Sequence, residues 1–410
     1  MTRVSSFLTF GFWLLAFGLS CGAANAQQPA PQWQDVIRNL RHPDAKTRLA
    51  AVEQLGGAGY TAAAEYVAPL VTDPDDRVQF AAIDAELTFF LIEPVGERRT
   101  ISLTGGSRSR AQEAFDAGPL VRSAAPAPLV VVDNLISAMR DTNARIRFDA
   151  VHALGVVAES PLPPAQAKSL IDGLDHYDPI IRAATARVLG RLRVADAGDK
   201  LIAGLNDSST LVRRFCAEAL GDIRESRAVQ SLTELVTYYG KGDLAADMLL
   251  ALARIAHQSS RDLFRARLAD VSPDVRRAAA EGLGRLRDRD SLDALKTMMA
   301  SDRAPSARLA ATFAVGMIGE TQSHVLAAAL AVPDEAPQAA AYVIEIGAPA
   351  IPGVQSAMGV AADPRLRADL VHLLGYIGTR DTVALLQPLR QDKDERVSRA
   401  AADAIARLSR

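Results

Sequence analysis

The stretch DVSPDVRRAAAEGLGRL, Asp270 to Leu286, has an imperfect copy, DSSTLVRRFCAEALGDI, at Asp207 to Ile223. Aligning further copies on the residue after the apolar one places anchors at Arg48, Gln79, Arg147, Arg182, Arg213, Arg276, Arg308, Gln338, Arg367 and Ser398, most of them 29 to 35 residues apart. Two steps are longer. The step from Arg213 to Arg276 spans a degenerate copy around Leu244 to Ile255, and the step from Gln79 to Arg147 spans an insertion. A unit repeating at this period cannot bury its apolar face alone, so its copies must stack side by side.

Within each period the apolar spacing becomes helical. Val275, Ala279, Gly282, Leu283 and Leu286 fall on one stripe, which predicts an amphipathic second helix. An earlier helix precedes it, such as SLDALKTMM at Ser291 to Met299 or AVQSLTELV at Ala228 to Val236, and an Asp, Pro or Ser-bearing turn joins the two. Apolar residues make up 49% of the chain and aromatics 5%, a balance suited to close helix packing through Ala, Leu and Val. The fold expected is all-α: a right-handed solenoid of about eleven stacked helical hairpins. Hairpins are expected over 27–87 and 129–410, with an irregular insertion at 88–128.

Two rows of the repeat read as architecture. Glycine recurs eight residues after the anchor at Gly56, Gly155, Gly190, Gly221, Gly284, Gly316 and Gly375, where it permits either a left-handed cap or a close approach of neighbouring helices. Aspartate recurs six residues before it, at Asp73, Asp141, Asp207, Asp270, Asp302 and Asp392. Such an Asp can accept from amides at the start of its own second helix, and the anchors Arg48, Arg147, Arg182, Arg213, Arg276, Arg308 and Arg367 can reach the Asp of a stacked neighbour. A ladder of this kind recurs along a stack because every interface needs it.

The pattern Leu-x-Asp-x-x-x-x-Val-Arg-x-x-Ala-x-x-x-Leu-Gly resembles the HEAT repeat in the short form named after phycobilisome lyases, over most of Gln34 to Leu408. The resemblance implies a HEAT-like superhelix. Such repeats serve in scaffolds and adaptors, in chromophore lyases and in a di-iron hydroxylase, so two functional classes follow from it. One is a non-catalytic scaffold that binds another protein on its concave helix face. The other is a lyase-like or hydroxylase-like enzyme that handles a cofactor or modifies a protein.

The hydroxylase branch depends on His-Glu pairs, whereas the histidines here are followed by Pro43, Ala153, Tyr177, Gln258, Val325 and Leu373. His42 and His176 fall where other repeats carry Asp, which predicts turn residues rather than metal ligands. The chain has no Gly-Lys-Ser/Thr phosphate loop, no Gly-x-Ser-x-Gly elbow and no Cys-x-x-Cys. The sequence therefore assigns no catalytic residue, metal or cofactor, and the scaffold is the expectation.

The N-terminus reads MTRVSSFLTFGFWLLAFGLSCGAANAQQ, with a basic start at Arg3, an apolar run from Phe7 to Leu19 and the triplet Ala24-Asn25-Ala26. These are the parts of a signal peptide over 1–26, cleaved after Ala26, which predicts export to the periplasm. The run is shorter than the ~20 residues of a spanning helix. Lipidation at Cys21 is the minor alternative, because Gly18-Leu19-Ser20 departs from the usual lipobox. Without the leader the net charge passes from −2 to −3, which argues against nucleic acid as partner. Cys216 is then the one cysteine left, in a position occupied by Ala279 in the next clear copy, and is expected to be a buried thiol.

Two places are candidates for partner binding. The row one, five and nine residues after the anchor should face solvent. It reads Arg277, Glu281, Arg285 in one copy and Leu309, Phe313, Met317 in the next, followed by Ala339, Val343, Gly347 and then Ala368, His372, Tyr376. The apolar members form either a contiguous exposed patch or, if the helices are rotated, core. The second place is the insertion, where Arg98, Arg99, Arg108 and Arg110 could meet an acidic group unless the segment is a solvated loop.

Overall fold

The structure, a computed structural model, describes residues 33–92, 108–319 and 322–410. The expected leader, Cys21, Arg98 and Arg99 lie outside these residues. Eleven helical hairpins follow one another, and among the described residues the only β pairing is an isolated bridge between Leu91 and Arg122. The second helices, with one helix from the insertion, are α1 (Ala45–Gly57), α2 (Asp76–Phe90), α3 (Arg110–Asp116), α4 (Ala144–Val157), α5 (Pro179–Arg191), α6 (Thr210–Asp222), α7 (Asp243–Ile255), α8 (Pro273–Arg285), α9 (Pro305–Ile318), α10 (Ala336–Ile346), α11 (Pro364–Ile377) and α12 (Glu395–Leu408). The insertion contributes α3; the other labels follow the hairpins in order.

Local chemistry fixes where these helices start. Asp44, Asp75, Asn143, Asp178, Asp363 and Asp394 cap them through side chains that accept backbone amides. Pro179, Pro273, Pro305 and Pro364 occupy first positions, where the missing amide costs nothing. The core is a continuous column of Ala, Leu, Val and Ile along the stack, with Cys216 inside it; burial pushes that thiol up to about 12.

Four pairs of the Asp and Arg rows tie one turn to the next. Arg48 grips Asp73 with two bonds of 2.7 Å, Arg182 grips Asp207 at 2.9 Å, Arg276 grips Asp302 at 2.7 Å and Arg367 reaches Asp392 at 2.5 Å. The same arginines, except Arg367, also donate to two carbonyls of their own turn, as Arg276 does to Asp270 and Val271 at 2.8 and 3.1 Å. Arg147, Arg213 and Arg308 make this inner pair of bonds to Asp141, Asp207 and Asp302 carbonyls and their neighbours. Each Asp accepts the amide two residues on, and His42 and His176 do the same through Nδ1. The stack runs on across the insertion: Gln79 donates to Asp141 at 2.8 Å.

The glycines serve close approach. A Cβ on Gly284 would sit 2.6 Å from Ala314 Cα, and on Gly190 or Gly375 2.8 Å from Ala219 or Ala404 Cα. The left-handed position falls three residues later and is filled by Arg193, Arg224, Ala256 and Arg287, at φ between 51° and 56°. Gly316 is the exception, with nothing within 4 Å, because α10 does not lie flush on α9. Gly284→Ala is therefore expected to cost about 1–3 kcal/mol by forcing α8 from α9, while Gly316→Ala should gain about 0.5–1 kcal/mol. Urea unfolding of the two variants checks the contrast; equal effects would refute it.

Candidate binding site on the inner face

The array returns on itself. The Tyr376 hydroxyl donates to Pro119 O at 2.6 Å, Arg407 covers the Tyr376 ring at 4.2 Å and donates to Arg122 O at 3.0 Å, and Asp403 accepts from the Ala124 amide. Arg122 and Arg410 both pair with Glu159, at 3.0 and 3.1 Å. These partners join the insertion and the end of α4 to α11 and α12. The described end of the insertion, 108–128, thus forms a strap. Its helix α3 buries Phe115 against Gly155, whose missing Cβ would meet that ring at 2.4 Å.

The closed array encloses a cavity of about 1730 Å³. One wall comes from the last turns of α5 to α7 and the inner side of α8, and carries Arg191, Arg193, Arg224, Arg254, Arg277 and Arg285. Beside it, α10 with the turn before it and the start of α11 present Pro333, Ala336, Pro337, Ala341, Ile344 and Leu366, with Glu345, Asp363 and His372 among them. The strap closes a third side with Arg108, Glu113, Asp116 and Leu120.

Between the walls lies a charge network. The buried Glu281 accepts from Arg277 at 3.0 Å, Arg285 at 2.9 Å and the Tyr342 hydroxyl at 2.5 Å. Burial pushes its pKa up, but Arg285, Arg277 and Tyr342 outweigh that and hold it at about 2. Arg285 also forms a double bond pair with Glu345, at 2.8 and 2.9 Å. Tyr342 stacks on Phe313 with centroids 4.4 Å apart, and the Arg285 guanidinium lies 5.2 Å from the Phe313 centroid. Arg254 is matched by Asp222 at 2.8 Å.

The row expected to face solvent is rotated inward. Glu281 is 2% exposed, and its arginines fold over it. Leu309, Phe313, Val343, Ala368 and His372 are likewise buried, with Phe313 fully so, and Met317 and Tyr376 are half-buried. The apolar members therefore make core and no exposed patch, because α10 leans over α9 to meet α8 and covers Phe313 with Tyr342. Of the candidate partner residues and the row they belong to, Arg108, Arg277, Glu281, Arg285, Ala368 and His372 line the cavity. Arg108 pairs with Asp116 at 3.4 Å, while Arg110 turns away to Asp84 O and Thr88. Tyr342, Glu345, Arg191 and Phe115 escaped sequence reasoning; an aromatic-acid pair in α10, three residues apart, was the available signal.

No curated protein matches the chain in sequence. Among solved structures, the chain is similar to an engineered protein (18% identity, TM-score 0.40, 92% of this chain and 99% of that one). It is also similar to the CpcE and CpcF complex of phycocyanin lyase from Nostoc (16% identity, TM-score 0.38, 76% and 98%). Likenesses of this strength carry no functional argument. The family model for HEAT repeats matches residues 34–85, 167–238, 241–316 and 351–410, more than half of the chain. The stacked hairpins and the matching spans agree, and the chain belongs to the HEAT repeat family.

Proposed function

We propose that the protein is a non-catalytic interaction scaffold of the cell envelope that receives a segment of a partner protein in its inner cavity. The observation that carries this reading is the cavity itself. At about 1730 Å³ it exceeds the ~300–1,000 Å³ typical of small-molecule sites, and its walls differ in character, arginine on one side and small apolar residues on the other. HEAT repeats commonly mediate protein interactions, and second helices lining a concave face are where such arrays bind. The sequence at 1–26 supports an exported partner. No helix of the described residues is long and apolar enough to cross a membrane.

Ala341 is exposed and lines the cavity, so Ala341→Trp fills space without disturbing the core. Partner recovery from envelope extracts is expected to fall with this variant and to persist with Tyr238→Ala on an exposed position elsewhere. Equal recovery with the cavity filled would overturn the reading.

A further inference from the structure

The six arginines on the α5 to α8 wall divide into two sets. Arg254, Arg277 and Arg285 are already matched by Asp222, Glu281 and Glu345 at 2.8 to 3.0 Å. Arg191, Arg193 and Arg224 are not. Arg191 lays its guanidinium over Phe115, 3.5 Å from the ring centroid, and among the described residues makes no ion pair or hydrogen bond to a carboxylate. Burial and the neighbouring Arg187 pull its pKa down to about 10, only partly offset by the field of Asp116, Glu218 and Asp222. Arg224 reaches only Glu345, at 3.9 Å, and that carboxylate is already held by both of its bonds to Arg285. Arg193 is exposed and also without an ion pair among the described residues.

Backbone conformation places two of these side chains at the cavity, in a position that Arg287 shares off its lining. Arg193 and Arg224 occupy left-handed positions, φ 51° and 55°, where Gly59 stands in the first hairpin. Both side chains line the cavity.

We infer that the segment received in the cavity is acidic, presenting carboxylates to Arg191, Arg193 and Arg224 and small apolar side chains to the Ala336, Pro337 and Ala341 wall. This rests on the reading of the cavity as a partner site and names the chemistry of the partner. Guanidinium groups bind carboxylates through paired bonds, and the apolar wall excludes a polyanion charged on every side.

The test is fluorescence anisotropy with the mature chain and three labelled short peptides: glutamate alternating with leucine, and the same with lysine or serine for glutamate. The glutamate peptide is expected to bind, and Arg191→Gln with Arg224→Gln to weaken it by about tenfold or more, the loss of one or two charge-assisted bonds. Arg287→Gln, at the same left-handed position but off the cavity lining, is expected to bind like the wild type. Tighter binding of the serine or lysine peptide, or of a single-stranded oligonucleotide, would overturn the inference, as would no binding of the glutamate peptide. If peptides bind irrespective of charge and Ala341→Trp still abolishes them, the cavity reading stands and the acidic partner falls. If Ala341→Trp leaves glutamate-peptide binding intact, the cavity reading falls as well.

Discussion

Replacing Glu281 with alanine is expected to lower the unfolding free energy by about 3–5 kcal/mol, the cost of breaking a buried ion pair from one side. The loss leaves Arg277 and Arg285 facing each other beneath α10 and strips the Tyr342 hydroxyl of its acceptor. The titration of the group gives an independent size. Its folded value of about 2, against an ordinary 4.5, corresponds to about 3 kcal/mol. A depressed carboxylate contributes stability above its unfolded pKa and loses it as pH falls toward the folded one. Wild-type stability should therefore decline between pH 4.5 and about 2 more steeply than that of Glu281→Gln. Denaturant unfolding across this range checks both points, and a Glu281→Ala cost below 1 kcal/mol would show that the network is solvated.

The opposite sign is expected at Glu86. Both its carboxylate oxygens are buried in α2 without a hydrogen-bond partner among the described residues, and burial raises its pKa well above 4.5. In the folded chain it stays protonated while the unfolded chain ionises. Below pH 4.5 the two states match; above it stability falls by about 1.4 kcal/mol per pH unit for as long as the folded group remains neutral. Glu86→Met, which keeps the volume and removes the orphaned oxygens, is expected to be more stable by about 2–4 kcal/mol at pH 7. Its advantage over wild type should widen from pH 5 to pH 7, whereas Glu86→Gln should remove the pH dependence and keep the unpaired polar atoms. A constant gap would place a charged, hydrated carboxylate there.

Much of the fold was legible because stacking imposes the same demand on every hairpin. Val275, Leu283 and Gly284 mark the contact with a neighbour, and the Arg276 and Asp302 pair follows from spacing alone. What escaped breaks that nearest-neighbour rule. Glu281 meets Tyr342 across an intervening hairpin, 61 positions away, and Arg285 meets Glu345 60 positions away. A charged row then reads as a solvated face when it is an interior network. The docking of Phe115 on Gly155 has no period to announce it, and the glycine looked like one of a row serving helix contact. The closure through Tyr376, Asp403 and Arg407 is less visible still, since each residue alone is an ordinary polar group on a terminal helix. Arg191 belongs to the same class: its importance lies in the carboxylate it lacks.

An open helical array has two free ends, and each repeat answers only to the ones beside it, so the outermost turns open first and stability adds up module by module. The contacts of Tyr376, Asp403 and Arg407 with the strap convert the third to eleventh hairpins from a row into a loop. In a loop the last hairpin is no longer last, because peeling α12 away also unseats Arg122 and Ala124 at the opposite end, while Tyr376 of α11 keeps its hold on Pro119. Fraying then becomes a collective event whose cost is shared around the circle, and the first two hairpins are left as the part of the stack with an edge to lose.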